Sequence, residues 1–149
     1  MKYIYKDEQG DIVAIYSRPQ KGLDLIAVED NDPILTQDSP REIKGHISEY
    51  RKTMENGGVE VSGMLIQTDS ESRSNLLGAS QLGVAINWKA ENGFVELTNE
   101  QIQGIALVVG THVQKCFNSE RVVYEAHDTK PFTSKEAVER AFNNAYKNN

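Results

Sequence analysis

Two histidines and the only cysteine of the chain have the residue types that bind metal ions. His112, Cys116 and His127 lie in one stretch of helical apolar spacing, and separations of 4 and 11 residues bring all three near one helix face. His-x-x-x-Cys could ligate zinc, but a structural zinc site needs four ligands and a catalytic site needs three plus water. A free cysteine within an apolar stripe packs as a small hydrophobic residue. We therefore predict no metal and no cofactor, with Cys116 in the core and His112 able to serve as a buried, hydrogen-bonded side chain.

A hydroxyl, a carboxylate and a guanidinium occur together within residues 68–73. The four polar residues of this cluster are Thr68, Asp69, Ser72 and Arg73. Such a set could bind an anion or support hydrolysis, and a hydrolase would be built on Asp69, Ser72 and His112. However, no histidine lies nearby in the sequence to serve as a base. The four residues are also typical of a capped helix start with an exposed first turn. We therefore predict that the protein is not an enzyme and has no catalytic residue.

An acidic run and a glycine pair indicate no further site. The acidic run consists of Asp24, Glu29, Asp30, Asp32 and Asp38. Its carboxylates lack the spacing of an EF-hand calcium loop, so we interpret the run as a solvated loop. Gly57-Gly58 precedes a predicted strand, whereas a phosphate-binding loop leads into a helix.

Four aromatic residues are the predicted partner-binding residues. Tyr3, Tyr5 and Tyr16 fall in the first predicted hairpin, which is marginally stable alone and must bury one face somewhere. Trp88 is the only tryptophan and falls in a later strand, where tryptophan serves either as a core residue or as an interface anchor. Both alternatives remain open for Trp88.

The elements that carry these residues alternate between hairpins and capped helices. Strands are predicted over 2–6, 12–17 and 23–28, with a turn over 7–11, and further hairpins over 59–66 and 85–97 with a turn over 90–93. Capping sequences predict helices that begin at Ser39, Thr68 and Thr98. The second of these helices should run to about Val84, and a last helix should begin at Thr133-Ser134.

Apolar residues with helical spacing predict one long helix over 99–127. The stripe consists of Ile102, Ile105, Ala106, Val109, Val113, Cys116, Phe117 and Val123. At a rise of 1.5 Å per residue the helix is about 43 Å long, whereas a chain of this size has a radius of gyration of about 15 Å. This helix should therefore span the molecule as its spine. The predicted fold class is α+β, with an N-terminal β lobe over 1–33 and an α+β domain over 39–149.

Composition excludes several classes of partner. The net charge of -6 argues against nucleic acid, whose phosphates need clustered Lys and Arg, and against an anionic membrane surface. The chain starts without an apolar signal core and contains no run of about 18 apolar residues, so we expect neither export nor a membrane span. A single cysteine excludes an internal disulfide and indicates a reducing, cytoplasmic origin.

From Gly57 onward the chain resembles a domain of unassigned function that recurs in tail-fibre and tail-fibre-assembly proteins of tailed phages and prophages. The matching residues are Gly57-Gly58-Val59-Glu60-Val61-Ser62-Gly63, Ile66-Gln67-Thr68-Asp69, Ser72-Arg73, Gly78-Ala79, Trp88-Lys89, Gly93-Phe94-Val95, Leu97-Thr98, His112-Val113-Gln114-Lys115-Cys116-Phe117 and Glu120. The resemblance covers residues from about 57 to about 127. The chain departs from the family at Ile66-Gln67, where an aromatic residue often precedes the Thr-Asp pair, and in the centre of the family's last helix, which is usually rich in alanine and here contains valine and glycine.

The resemblance implies a role at the distal tail and transfers no catalytic residue, because the family has no established active site. It implies a non-enzymatic protein that acts on the tail fibre, either as an assembly chaperone in the host cytoplasm or as an accessory subunit bound to the fibre in the virion tail. The alternative is a structural virion component of the baseplate or of the fibre attachment site. Unassembled fibre chains expose unpaired strand edges, which hairpins and a long helix could cover. A long spine helix and a threefold fibre make a homo-oligomer plausible.

Overall fold

The computed structural model of the chain describes residues 1–8, 10, 12–36, 38–90 and 92–149. The predicted turns over 7–11 and 90–93 contain Gln9, Asp11 and Glu91, which lie outside the described residues. The elements in chain order are β1 (Lys2–Lys6), β2 (Ile12–Tyr16), β3 (Leu25–Val28), a 3-10 helix (Pro33–Leu35), α1 (Pro40–Glu55), β4 (Val59–Val61), β5 (Met64–Ile66), α2 (Ser70–Gln81), β6 (Ile86–Ala90), β7 (Gly93–Leu97), α3 (Asn99–Thr129) and α4 (Lys135–Asn148). This is the predicted α+β fold, with small antiparallel sheets and one long helix near the C-terminus.

The first three strands form one antiparallel sheet in the order β2-β1-β3. In the central strand Tyr3 is paired with Tyr16, and Ile4 is paired with Ile15 on one side and Ile26 on the other. The predicted strands are present, but β2 ends at Tyr16 and β3 begins at Leu25, one residue earlier and two residues later than predicted. The other strands form two separate hairpins, β4-β5 and β6-β7.

Three of the predicted helix starts are confirmed by their caps. At α1 the Ser39 amide donates to Glu42 Oε2 at 2.8 Å, and the Glu42 amide donates to Ser39 Oγ at 3.2 Å. Thr98 and Gln101 make the same reciprocal pair at the start of α3. The Ser134 hydroxyl accepts from an early amide of α4. Each cap satisfies backbone donors that the first helical turn leaves unpaired.

The prediction for α2 is wrong at both ends. Asp69, not Thr68, is the N-terminal cap, and its Oδ1 accepts from the amides of Glu71 and Ser72 at 3.1 and 3.0 Å. The Thr68 side chain is buried and bonded elsewhere. The helix ends at Gln81, ahead of the predicted Val84, and Gly83 follows with φ of +70°, a conformation that stops a helix.

The long helix α3 extends two residues beyond the prediction, to Thr129, and is about 46 Å long. It contributes to two hydrophobic cores. The core around its N-terminal half contains Ile66, Leu76, Leu97, Ile102, Ile105 and Val109. The core around its C-terminal half contains Ile43, Ile47, Cys116, Val123, Val138 and Phe142. The predicted stripe is therefore the buried face, with the exception of Phe117, which is 44 % exposed because it lies off that face. No helix in the described part of the chain is long and apolar enough to cross a membrane.

Candidate partner-binding surfaces

The three predicted tyrosines share one face of the N-terminal sheet. Tyr3 and Tyr16 are opposite each other on neighbouring strands, and Tyr5 lies two residues from Tyr3. Because side chains alternate along a strand, residues two apart and residues paired across strands point to the same side. All three rings are half-buried. The structure thus brings the predicted residues together, as a row of aromatic rings with polar tips.

The opposite face of the same sheet is aliphatic, and the sequence analysis missed it. Ile4 is 1 % exposed and lies between Ile15 and Ile26, which are 49 % and 50 % exposed. Val13, two residues before Ile15 on the edge strand β2, is 54 % exposed. The signal was present in the sequence of β2, where both alternating sets of residues are apolar or aromatic. Such a sheet has two faces to cover and not one.

Trp88 is half-buried against the core around the N-terminal half of α3, and its role as an interface anchor stays a prediction. Its cross-strand neighbour is Val95, whereas Phe94 is paired with Lys89 on the other face of the hairpin. Phe94 is 77 % exposed, the largest exposed fraction among the large apolar residues of the described chain. Phe94 is one of the residues that carry the resemblance, but it is not among the predicted contact residues.

A buried cluster of charged side chains joins the end of α1 to α2 and α3. The Glu55 carboxylate accepts from both the Arg51 and the Arg73 guanidinium groups. Arg51 also donates to Glu120 Oε2 at 3.1 Å, and its guanidinium lies 4.6 Å from the centre of the Phe117 ring. Burial alone would raise the pKa of Glu55, but the hydrogen bonds from Arg73 and Arg51 outweigh it and hold the pKa below its usual range. The charges satisfy one another, so the cluster cross-links three helices. Only the four-residue spacing of Arg51 and Glu55 signalled any of this in the sequence.

The polar residues at the start of α2 divide between two structural roles. The Ser72 hydroxyl donates to Asp69 Oδ2 at 2.6 Å, and this bond is the largest cause of the lowered pKa of Asp69. The Thr68 hydroxyl donates to the Glu55 carbonyl oxygen at 2.5 Å and accepts from the Gly58 amide at 2.9 Å.

The third residue of the hydrolase hypothesis does not join this cluster. His112 is buried as predicted, and its ring nitrogens contact the Tyr146 hydroxyl at 2.6 Å and the Met54 carbonyl oxygen at 3.1 Å. Since a carbonyl oxygen only accepts, Nε2 carries the proton and Nδ1 accepts from the tyrosine. The ring is therefore bonded on both sides to groups outside the Asp69–Ser72 pair.

The three candidate metal ligands are not assembled into one site. Cys116 Sγ lies 3.9 Å from His112 Nε2, while His127 Nδ1 accepts from the Phe132 amide at 3.1 Å. The described residues contain no group of three or more His, Cys, Asp or Glu side chains placed to hold a metal ion. Cys116 is fully buried, as predicted, and burial raises the pKa of its thiol to about 11.

Comparisons with known proteins match the chain at the level of a family only. No curated protein and no solved structure matches it. The family described as domain of unknown function DUF4376 matches residues 39–144, which include all four helices up to the last turns of α4 and both two-stranded hairpins. The matched segment is well over half of the 149 residues. The chain therefore belongs to the family described as domain of unknown function DUF4376.

Proposed function

We propose that this protein works by binding another protein chain, and that the partner is a bacteriophage tail fibre during its assembly. The resemblance over residues 57–127 supplies the class of partner. The observation that carries the binding role is the pair Val13 and Ile15, which are neighbours on one face of β2 and are 54 % and 49 % exposed, with Ile26 at 50 % on the same face of the sheet. Contiguous exposed apolar surface marks interaction sites in proteins.

The sheet also has a backbone means of binding an extended chain. Both β2 and β3 are edge strands, because β1 pairs with each of them. An edge strand offers unpaired amides and carbonyls to an added strand, whose alternate side chains then meet the two faces of the sheet. A fibre chain exposes such strands before it trimerises, and an added strand would cover them.

The proposed role is that of an assembly chaperone or of an accessory subunit that stays bound to the fibre. The alternative is a structural component of the baseplate or fibre attachment site. These roles differ in stoichiometry: a chaperone raises the yield of folded fibre and is absent from particles, whereas a structural component is present in purified particles at a fixed ratio. Recovery with particles and no effect on fibre yield would favour the alternative.

The experiment is co-expression with a tail-fibre chain from the same phage or prophage. We expect the protein to raise the yield of soluble trimeric fibre, measured by size exclusion and by resistance of the trimer to detergent. An unchanged yield, together with no complex between the two chains, would contradict the proposal.

Substitutions at two adjacent residues of β2 test which face of the sheet binds the fibre. Ile15→Lys places a charge on the aliphatic face, and Tyr16→Lys places the same charge on the tyrosine face. Phe94→Lys is the matched control, because Phe94 is the more exposed residue and lies in a different sheet. We expect loss of the fibre effect in one or both β2 variants and retention in Phe94→Lys. Loss in Phe94→Lys alone would move the binding site to the β6-β7 hairpin.

A further inference from the structure

We infer that two copies of this chain associate through α3, with the two helices antiparallel and a twofold axis between Leu107 and Val108. The inference uses a different surface from the one proposed for fibre binding and does not rest on that function. It is carried by an uncovered apolar stripe and by the placement of two opposite charges.

The stripe is the exposed face in the N-terminal half of α3. Leu107 is 72 % exposed and lies on the side away from the buried Ile105 and Val109, and Val108 is 37 % exposed at the edge between that side and the buried face. Gly104 and Thr111, one turn before and one turn after, are exposed on the same face. Because α3 buries one apolar face within its own chain, its second apolar face is left for a partner to cover.

The surface beside the stripe has the form of a ridge between two depressions. Val108 lines both of them. The depression on the N-terminal side is lined by Val61, Met64, Leu97 and Gly104, and the one on the C-terminal side by Val59, Thr111, Lys115 and Tyr146. In the proposed pair Val108 lies next to Leu107 of the other copy at the axis, and the N-terminal depression of each copy faces the C-terminal depression of the other.

The positions of two charged residues favour a second copy of the chain as the partner and an antiparallel arrangement of the two α3 helices. With the axis between Leu107 and Val108, each residue faces the one equally far from the axis on the other helix, so Glu100 faces Lys115 of the second copy. Glu100 lies seven residues before Leu107 and Lys115 seven after Val108, which keeps both on the stripe. The antiparallel pair thus closes with two ion pairs, one at each end. A parallel pair would place like charges together, which disfavours it.

Gly104 lies opposite Thr111 in the same arrangement. A Cβ atom built on Gly104 meets nothing within 4 Å in its own chain, so the space above this position is open to a neighbour. The contact from Glu100 to Lys115 is about 22 Å long. Because that length buries less than a standard protein interface, we expect an association that dissociates at micromolar concentration.

The first experiment is analytical ultracentrifugation of the full chain over a range of concentrations. We expect a reversible monomer–dimer equilibrium that Leu107→Arg abolishes. Glu100→Lys and Lys115→Glu should each weaken the dimer by about tenfold, and the double variant should recover it, because the exchanged charges still face each other. Circular dichroism melting checks that Lys115→Glu folds, since Lys115 also lies 4.8 Å from the Tyr146 ring centre. A monomer at every concentration, or a double variant as weak as the singles, would overturn the inference.

The second experiment separates antiparallel from parallel pairing. Leu107→Cys lies next to the axis, so a short bis-maleimide should link two copies at this position. Arg121→Cys is the control, because its side chain is 65 % exposed but two copies of it lie about 40 Å apart in the antiparallel pair. The wild type controls for Cys116, which is buried. Linkage at both engineered positions would indicate a parallel pair and overturn the proposed geometry.

Discussion

The hydroxyl of Thr68 donates a hydrogen bond of 2.5 Å to the main-chain carbonyl oxygen of Glu55 and so ties the start of α2 to the end of α1. The Thr68 hydroxyl oxygen also accepts from the Gly58 amide at 2.9 Å. One fully buried hydroxyl therefore satisfies two backbone groups that the end of α1 and the following turn leave unpaired. Thr68, the residue before the cap of α2, thus links α1 and α2 through its hydrogen bonds.

Thr68→Val should lower the free energy of unfolding by about 2–3 kcal/mol. Valine keeps the shape but removes the donor and the acceptor, which leaves a buried carbonyl and a buried amide unpaired. Urea unfolding followed by circular dichroism measures the change. Thr53→Val is the control, because the Thr53 hydroxyl bonds to a carbonyl on the exposed side of α1. Equal effects of the two substitutions would contradict this assignment.

Glu55→Gln should destabilise the protein by about 3 kcal/mol at neutral pH. The carboxylate is 7 % exposed and pairs with two guanidinium groups, so its neutralisation leaves Arg73 without its carboxylate partner and leaves Arg51 with Glu120 alone. The surface pair Arg121–Glu125 has the same four-residue spacing but is 65 % and 62 % exposed. Glu125→Gln should therefore change the free energy of unfolding by less than about 0.5 kcal/mol.

Glu55→Gln should also reduce the dependence of the free energy of unfolding on pH in the acid range. The pKa of Glu55 is lowered in the folded protein, so this group contributes stability above its ordinary pKa and loses it as pH falls through the lower folded value. The difference in unfolding free energy between wild type and Glu55→Gln should therefore shrink as the pH is lowered below about 4.5. Comparing the two proteins cancels the contribution of other carboxylates. A difference that stays constant down to acid unfolding would show that Glu55 is not held ionised.

Cys116 should be unreactive in the native protein. Its side chain is fully buried, and the pKa of about 11 leaves almost no thiolate at pH 8. A thiol reagent such as DTNB should detect no cysteine in buffer and one per chain in urea. Because the folded pKa is raised, the free energy of unfolding should also fall as pH increases above 9.0, and Cys116→Ala should reduce that fall. Rapid native labelling would contradict the buried assignment.

Two glycine-to-alanine substitutions should act in opposite directions. Gly58 has φ of +84°, and a Cβ there would lie 3.2 Å from the Ile66 carbonyl oxygen, so Gly58→Ala should cost about 1–2 kcal/mol. Gly110 lies within α3 with nothing within 4 Å of a built Cβ. Gly110→Ala should therefore stabilise the protein by about 1 kcal/mol, as measured by thermal and urea unfolding. Destabilisation by Gly110→Ala would mean that a neighbour approaches this face closely.

Much of the fold was predictable because its signals are local. The capping residues Ser39 and Thr98 act on amides within three residues of themselves, so the sequence marks the starts of α1 and α3 directly. Thr68 shows the limit of predicting helix starts from local capping residues. Thr68 and Asp69 are both good caps, and only the approach of the end of α1 decided that the threonine turned inward and the aspartate capped α2.

The sequence alone determined the order of hairpins and helices, the buried stripe of α3 and the place of Cys116 within it. These depend on periodicity and on short-range hydrogen bonds. The tertiary structure decided which charges pair, as at Glu55 with Arg73. It also decided which apolar side chains stay exposed, as at Ile15 and Leu107. The reason is physical: burial and ion pairing depend on which element arrives from far along the chain, and no local pattern carries that information.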